Sequence, residues 1–203
     1  MSALPEIILH HTALEHRGGA VGVARMLMEA QRARGLAAFQ SFETGEPEYS
    51  ELAGTGAQTL CGQLDELAGL PLCAPCEAGE AGARLMELAL ARGADPSRCV
   101  LHLHGSQDWL ALLSSVLWEC SQSAERPRLL LTLHDARPLT GGCAYPLDCP
   151  YFPFGCVDPC PRDFPDVAAN QGEMMGLFAA LAEATGLLLA SPSRWLAEQA
   201  QAV

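Results

Sequence analysis

The sequence is poor in basic residues and contains no cluster of them. Twelve Lys and Arg residues stand against 24 Asp and Glu residues, which gives a formal net charge of −12 at pH 7. Proteins that bind a nucleic-acid duplex rely on clustered cations to neutralise its phosphates. The charge balance therefore argues against a nucleic-acid partner, and we interpret the acidity as a solubility feature.

The sequence also lacks the pattern of a leader peptide and that of a membrane span. No N-terminal segment combines basic residues, an apolar stretch and a small-residue cleavage site. The apolar stretches are shorter than the roughly 20 residues that cross a bilayer. We therefore expect a cytoplasmic protein, with at most peripheral association at the inner face of a membrane. In that compartment the nine cysteines are interpreted as thiols or metal ligands before disulfides.

The composition gives no sign of disorder, since 49% of the residues are hydrophobic and 18% are charged. A length of 203 residues fits one domain covering 1–203. Apolar runs alternate with segments of helical spacing, which predicts an α/β fold: a Rossmann-like, doubly wound parallel sheet flanked by helices. The predicted strands are Pro5–His11, Leu36–Phe42, Arg98–His104, Arg128–His134 and Gly186–Ala190. The first predicted helix begins at Ala20 and ends at a cap at Gly35, and the last begins after a cap at Ser191–Ser193. Between them, helices are predicted at Gln63–Leu67, Glu77–Arg92, Gln107–Cys120 and Asn170–Ala184.

Histidines mark the ends of three predicted strands, at His10-His11, at His102 and His104, and at His134-Asp135. Ligands of doubly wound sheets lie outside the carboxyl ends of the strands, so we expect these groups to converge on one site. A histidine there can bind a ligand hydroxyl or take a proton near neutral pH. The alternative is a buried histidine satisfied by backbone. We favour function by roughly two to one, because two strands deliver a histidine in parallel.

A glycine pair, Gly18-Gly19, lies where the first strand turns into the first helix. Backbone N–H groups at such a turn can face a phosphate because no Cβ obstructs them. The full G-x-G-x-x-G pattern is missing, so a simple tight turn is an equal alternative. Arg137, beside His134, either binds an anionic group or is merely solvated.

A long loop, 136–162, is rich in Gly, Pro and aromatic residues and carries Cys143, Cys149, Cys156 and Cys160. The spacing C-x5-C-x6-C-x3-C suits a tetrahedral zinc ion, although it is not the usual pair of C-x2-C knuckles. Two disulfides or four free thiols are the alternatives. A separate pair, Cys73 and Cys76, is either a redox C-x-x-C or two incidental thiols.

The region around these cysteines resembles a signature of bacterial sugar transferases, the retaining GT-B-fold glycosyltransferases that build exopolysaccharide and lipopolysaccharide. The resemblance rests on Thr132-Leu133-His134-Asp135, Thr140-Gly141-Gly142-Cys143, Tyr145, Cys149, Cys156 and Cys160-Pro161, with Gly18-Gly19 and Ser191-Pro192-Ser193-Arg194-Trp195-Leu196 in the same order along the chain. The cysteine-loop part is quite specific, and the glycine and SPSxW parts are loose.

What the resemblance implies is an N-terminal domain that binds a saccharide or lipid-linked acceptor, while a C-terminal domain, absent here, holds the nucleotide-sugar donor. Gly18 and Gly19 would approach the donor diphosphate. His134 and Asp135 would be the catalytic residues at the transferring sugar. His104, Arg137 and Thr140 would bind the acceptor. No cofactor is required for the chemistry, and the nucleotide sugar is a substrate. The structural zinc considered for the loop cysteines rests on their spacing alone. The chain alone is expected to be inactive.

The sequence departs from the family pattern at two loop positions. Arg137 stands where the family has a Trp, and Ala144 where it has a His. These departures keep a second hypothesis open, a non-catalytic carbohydrate- or partner-binding module with the same fold. A third hypothesis is a thiol redox protein that uses Cys73 and Cys76.

Overall fold

The structure, a computed structural model, describes residues 4–14, 18–44, 81–152 and 154–202. The strands are β1 (Ile7–Leu14), β2 (Ala37–Thr44), β3 (Cys99–Leu103), β4 (Arg128–Thr132) and β5 (Leu188–Ala190). The α-helices are α1 (Gly19–Arg32), α2 (Ala81–Arg92), α3 (Trp109–Gln122), α4 (Val167–Thr185) and α5 (Arg194–Ala202). Two short 3-10 helices cover Pro96–Arg98 and Arg137–Leu139. The predicted helix at Gln63–Leu67 and the Cys73–Cys76 pair lie outside the described residues.

The five strands form one parallel sheet in the order β2-β1-β3-β4-β5. The chain first moves from β1 to β2 at one edge through α1. It then returns to place β3, β4 and β5 on the other side of β1. This arrangement confirms the predicted α/β class, a Rossmann-like parallel sheet flanked by helices. The reversal of direction between β1 and β3 is the switch point at which open sheets of this kind bind ligands.

Apolar side chains on both faces of the central strands explain why the sheet is buried. On one face, alternate residues of β1, β3 and β4 pack against Leu112 and Leu113 of α3 in the larger core cluster. On the other face, Ile8 packs with Met28 of α1 and with Ala38. Because side chains alternate along a strand, His10 shares the face of Ile8 and α1.

Four of the five strands end one to three residues away from the predicted positions, and the ends of β1 and β4 matter for the site. β1 continues to Leu14 because it pairs with β2 as far as Thr44, so His10 and His11 lie inside the strand and not at its end. β4 stops at Thr132, two residues before His134. The cavity edge is therefore formed by the residues that follow these strands, and the histidines of β1 and β3 lie one layer deeper.

The final helix begins where the sequence predicts. The hydroxyl of Ser193 accepts a hydrogen bond from the N–H of Leu196, and the hydroxyl of Ser191 accepts one from the N–H of Ser193. Of the helices in the described part of the chain, none has the length and apolar character needed to cross a membrane.

Candidate functional site

A cavity of about 300 Å³ opens at the carboxyl edge of the sheet. Its wall brings together the turn after β1, the residues that follow β3, and the residues that follow β4. Among the lining residues are Gly18, Gly19, His104, His134, Asp135 and Arg137. The cavity thus lies at the switch point between β1 and β3 and gathers six of the residues selected from the sequence.

Gly18 is the residue before α1 and has a φ of 99°, a conformation that favours glycine. No side chain caps the first turn of the helix there, and that turn carries no acidic residue. A Cβ built on Gly18 or Gly19 would have no atom within 4 Å. The turn therefore lies at the cavity wall with free space at the Cβ positions of both glycines among the described residues, which leaves room for a ligand to approach the backbone there.

Three histidines and a glutamine form a continuous hydrogen-bonded chain that ends at the cavity. Gln31 Oε1 of α1 lies 2.8 Å from His10 Nε2, and His10 Nδ1 lies 3.0 Å from His104 Nε2. His104 Nδ1 lies 3.2 Å from His134 Nε2. The chain therefore connects the buried interior of β1 to His134, the predicted catalytic histidine.

A fourth histidine, His102, packs beside this chain. Its ring centroid lies 3.9 Å from that of His104 and 5.0 Å from that of His10, and its Nε2 lies 2.8 Å from Thr132 Oγ1. Each of His10, His102 and His104 offers one ligand atom within 4.8 Å of the others, so the triad could hold a metal ion. The sequence indicates histidines at the strand ends but not this grouping.

Burial keeps the histidines of the cluster neutral. Loss of solvation, together with a smaller effect of the neighbouring histidines, lowers the pKa of His104 to about 2 and that of His102 to about 3. Burial also lowers the pKa of His10 and of His134, and the Asp135 charge partly opposes the shift at His134. Each ring thus carries a single proton near pH 7.

His11 does not join the cavity, contrary to the expected convergence of the strand-end histidines. Its ring lies on the opposite face of β1, where Nδ1 is 3.0 Å from Ser41 Oγ and Nε2 is 3.3 Å from Glu43 Oε1. The Glu43 carboxylate also accepts the N–H of Gln107 at 2.7 Å. These contacts hold the start of α3 against β1 and β2.

Arg137 and Asp135 are bound to each other at the mouth of the cavity. Arg137 donates from Nη2 to Asp135 Oδ2 at 2.7 Å and from Nε to both carboxylate oxygens, and its backbone N–H donates to Oδ1. The bond to Asp135 raises the pKa of the Arg137 guanidinium. Arg137 is therefore not merely solvated, and Asp135 is held in a fixed orientation by its neighbour.

Thr140 is not among the cavity-lining residues. Its hydroxyl donates to the carbonyl of Cys143 at 2.8 Å and accepts the N–H of Gly142 at 3.2 Å. The side chain is 2% exposed. The structure therefore gives Thr140 a part in shaping the loop and does not bring it to the predicted acceptor.

None of the loop cysteines belongs to a group of three ligand atoms within 4.8 Å of one another in the part of the chain that the structure describes. Burial raises the pKa of the Cys156 thiol, and charges on Cys149, Cys160 and Cys143 would raise it further. The zinc ion predicted for this loop stays a prediction.

Hydrogen bonds to α4 hold the loop in place. Gln171 of α4 accepts the N–H of Cys156 and donates to the carbonyl of Leu139 at 2.9 Å. Asp158 accepts the N–H groups of Val167 and Ala168 at the start of the same helix. These contacts, which join the loop to the first two turns of α4, position the cavity wall formed by Arg137.

Sequence reasoning missed two residues of the site. Gln31 is only one member of the helical pattern of α1, yet it anchors the histidine chain. Trp109 lines the cavity, and its buried Nε1–H has no hydrogen-bond partner among the described residues. In the sequence Trp109 is one residue of the apolar pattern that predicts α3, and no other signal indicates that it lines a cavity.

Fold and cavity define a Rossmann-like α/β domain with a polar cavity at its switch point. No protein-family model, curated protein or solved structure matches the chain. The resemblance to bacterial sugar transferases therefore rests on the sequence motifs alone.

Proposed function

We propose that this chain is the acceptor-binding domain of a glycosyltransferase that moves a sugar from a nucleotide-sugar donor to a saccharide or lipid-linked hydroxyl. The proposal is supported by one observation above all: Gly18-Gly19, His104, His134 and the Asp135–Arg137 pair line a single cavity. The motif resemblance assigns these same residues to the donor diphosphate, the transferring sugar and the acceptor.

The roles follow from the groups that each residue offers. The uncapped N–H groups at the start of α1 would face the donor diphosphate as its charge increases in the transition state. His134 would hydrogen-bond the transferring sugar, with its ring oriented by His104. Asp135, held by Arg137, would keep the loop in position beside the acceptor. A second domain, which holds the donor, would close the cleft and exclude water.

Two finer parts of the proposal concern bound groups. The chemistry described above needs no cofactor, because the nucleotide sugar is the substrate and the leaving diphosphate is stabilised electrostatically. The four loop cysteines would hold a structural zinc ion. The C-x5-C-x6-C-x3-C spacing of these cysteines supports this part.

A second candidate function is a carbohydrate- or partner-binding module without catalysis. The observation that favours it is the Asp135–Arg137 pair, in which both carboxylate oxygens are already engaged by the guanidinium. A carboxylate so occupied is a poor general base. The two candidates differ in their ligands, since an enzyme domain responds to nucleotide sugar as well as to saccharide.

Substitution of His134 tests the proposal. Titration calorimetry with an oligosaccharide and with a nucleotide-diphosphate sugar should detect binding of both ligands. The His134→Ala substitution should weaken this binding about tenfold or more, because a hydrogen bond between neutral groups in a desolvated site contributes about 1.4 kcal/mol. Arg194→Ala is the control, since Arg194 is exposed on α5 and contacts Glu198. Affinities unchanged by His134→Ala would remove His134 from the site. Binding of saccharide alone would favour the non-catalytic module.

A further inference from the structure

The three buried histidines of the sheet are positioned by strand pairing. His10 of β1 is directly opposite His102 of β3 in the parallel register. His104 comes directly after β3, two residues beyond His102, and its N–H still donates to the carbonyl of His11 on β1. Residues two apart on a strand point to the same face. All three rings are therefore on one face of the sheet, and each is at most 5% exposed.

Each imidazole has one nitrogen in a hydrogen bond that points away from its neighbours in the triad. His10 Nε2 contacts Gln31 Oε1, His102 Nε2 contacts Thr132 Oγ1, and His104 Nδ1 contacts His134 Nε2. Metal-ligating histidines are held in this way: an outer partner fixes the tautomer and the ring orientation, and the other nitrogen is left for the metal.

The inner nitrogens have separations that suit a metal. His10 Nδ1 and His104 Nε2 are 3.0 Å apart. Two nitrogens bound tetrahedrally to zinc at about 2.0–2.1 Å are about 3.3 Å apart. The triad has all three of its ligand atoms within 4.8 Å of one another, so small side-chain movements would complete the coordination.

We propose that His10, His102 and His104 bind a divalent transition-metal ion of the zinc class inside the sheet, directly behind the cavity. Three imidazoles and no carboxylate suit Zn²⁺ or its first-row neighbours, whereas Mg²⁺ and Ca²⁺ require oxygen ligands. The rings are neutral near pH 7 and need lose no proton to bind. This site is separate from the loop cysteines and does not depend on the proposed transferase activity.

Metal binding would have a consequence for the cavity. With its Nε2 on the metal, His104 keeps its proton on Nδ1 and donates it to His134 Nε2, 3.2 Å away. A neutral His134 then carries its own proton on Nδ1. The metal would thus fix which nitrogen of His134 is the donor, and the ion is a positioning element for the residue at the cavity wall.

Cobalt titration of the purified protein tests this inference. The metal-free protein should bind one equivalent of Co²⁺ at the three histidines, with ligand-field absorption of a nitrogen-ligated ion and no near-ultraviolet thiolate-to-cobalt band. A second equivalent that does show this band would belong to the loop cysteines. A Cys143→Ser/Cys156→Ser double variant separates the two metal proposals, because it should still bind the equivalent of Co²⁺ that the three histidines hold. His102→Asn should lose it.

Two further variants keep the test decisive if His102→Asn folds poorly. Gln31→Leu removes only the outer partner of His10 and should weaken Co²⁺ binding by about 10–100-fold. His11→Asn is the matched control, because His11 is buried on the same strand but bound to Ser41 and Glu43 on the opposite face, and it should bind cobalt as the wild type does. No cobalt binding, or binding that shows a thiolate band and is insensitive to Gln31→Leu, would overturn the inference.

Discussion

Acidification of the metal-free protein from pH 7 to pH 5 is expected to lower its free energy of unfolding by about 4 kcal/mol. Burial lowers the pKa of His102 to about 3 and that of His104 to about 2 in the folded chain. In the unfolded chain each histidine has its usual pKa of about 6.5. The unfolded state therefore takes up protons below pH 6.5 while the folded state does not, and stability falls as the pH falls. Each of the two histidines contributes about 2 kcal/mol over this interval.

A loss of this size is a large part of the 5–15 kcal/mol that is typical of folded domains. Urea denaturation at pH 7, 6 and 5, with a chelator present, measures it directly. Histidine NMR signals in the folded protein provide the control, since those of His102 and His104 should stay unchanged over the same range. A free energy of unfolding that is constant or increases on acidification would show that the histidine cluster is not buried as described.

Gly141→Ala should be among the most destabilising substitutions in the loop. A Cβ at Gly141 would come within 2.1 Å of the carbonyl oxygen of Val167 and 2.4 Å of its Cα, and both are backbone atoms at the start of α4. Neither can move without displacing the helix, so we expect a loss of about 3 kcal/mol or more in the free energy of unfolding. The loop cysteines should also react faster with a thiol reagent, because the loop has to separate from α4.

Gly172→Ala is the matched control for this substitution. Gly172 is in the middle of α4, a Cβ there would meet nothing within 4 Å, and alanine is the better helix former by about 1 kcal/mol. This variant should be as stable as the wild type or more so. Equal stabilities for Gly141→Ala and the wild type would contradict the close packing of the loop against α4.

The fold class was accessible from the sequence because its signals are local. The apolar run of Leu129–Leu131 and the helical spacing in α1 need only their neighbours to be interpreted, and the strand-helix alternation then leads to a parallel sheet. The residues at which strands end are harder to predict from the sequence. β1 extends past His11 because β2 pairs with it as far as Leu14, and that pairing involves residues about 30 positions away in the chain.

The sequence predicts that polar groups meet at the carboxyl edge of the sheet, but it does not predict which of them bond to each other there. A histidine at a strand end can be recognised in sequence, and His104 and His134 do line the cavity. The bond between His10 and His104 joins residues 94 positions apart, and no local pattern encodes it. Gln31 and Trp109 cannot be recognised as site residues from the sequence either. Each fits the pattern of its own helix, so neither needs a binding site to explain its presence.

The Asp135–Arg137 pair is a second contact that could not be predicted from the sequence. The sequence suggests two independent groups, a catalytic carboxylate and a cation for an anionic acceptor. In the structure Arg137 donates four hydrogen bonds to the Asp135 carboxylate, three from the guanidinium and one from the backbone N–H. The 3-10 turn at Arg137–Leu139 places the guanidinium next to the carboxylate. Charged residues two positions apart can act as one unit, and only the turn geometry decides whether they do.

We propose that the cavity at the carboxyl edge of the sheet binds a nucleotide sugar and a saccharide, and NMR mapping of ligand binding tests this proposal most directly. Titration of the ¹⁵N-labelled protein with a nucleotide-diphosphate sugar should shift the amide signals of Gly18 and Gly19 and the ring signals of His134. Signals from Leu90 and Trp118, on helices α2 and α3 outside the cavity lining, should stay in place. Absence of shifts at Gly18, Gly19 and His134 at millimolar ligand, or shifts confined to residues outside the cavity, would contradict the account.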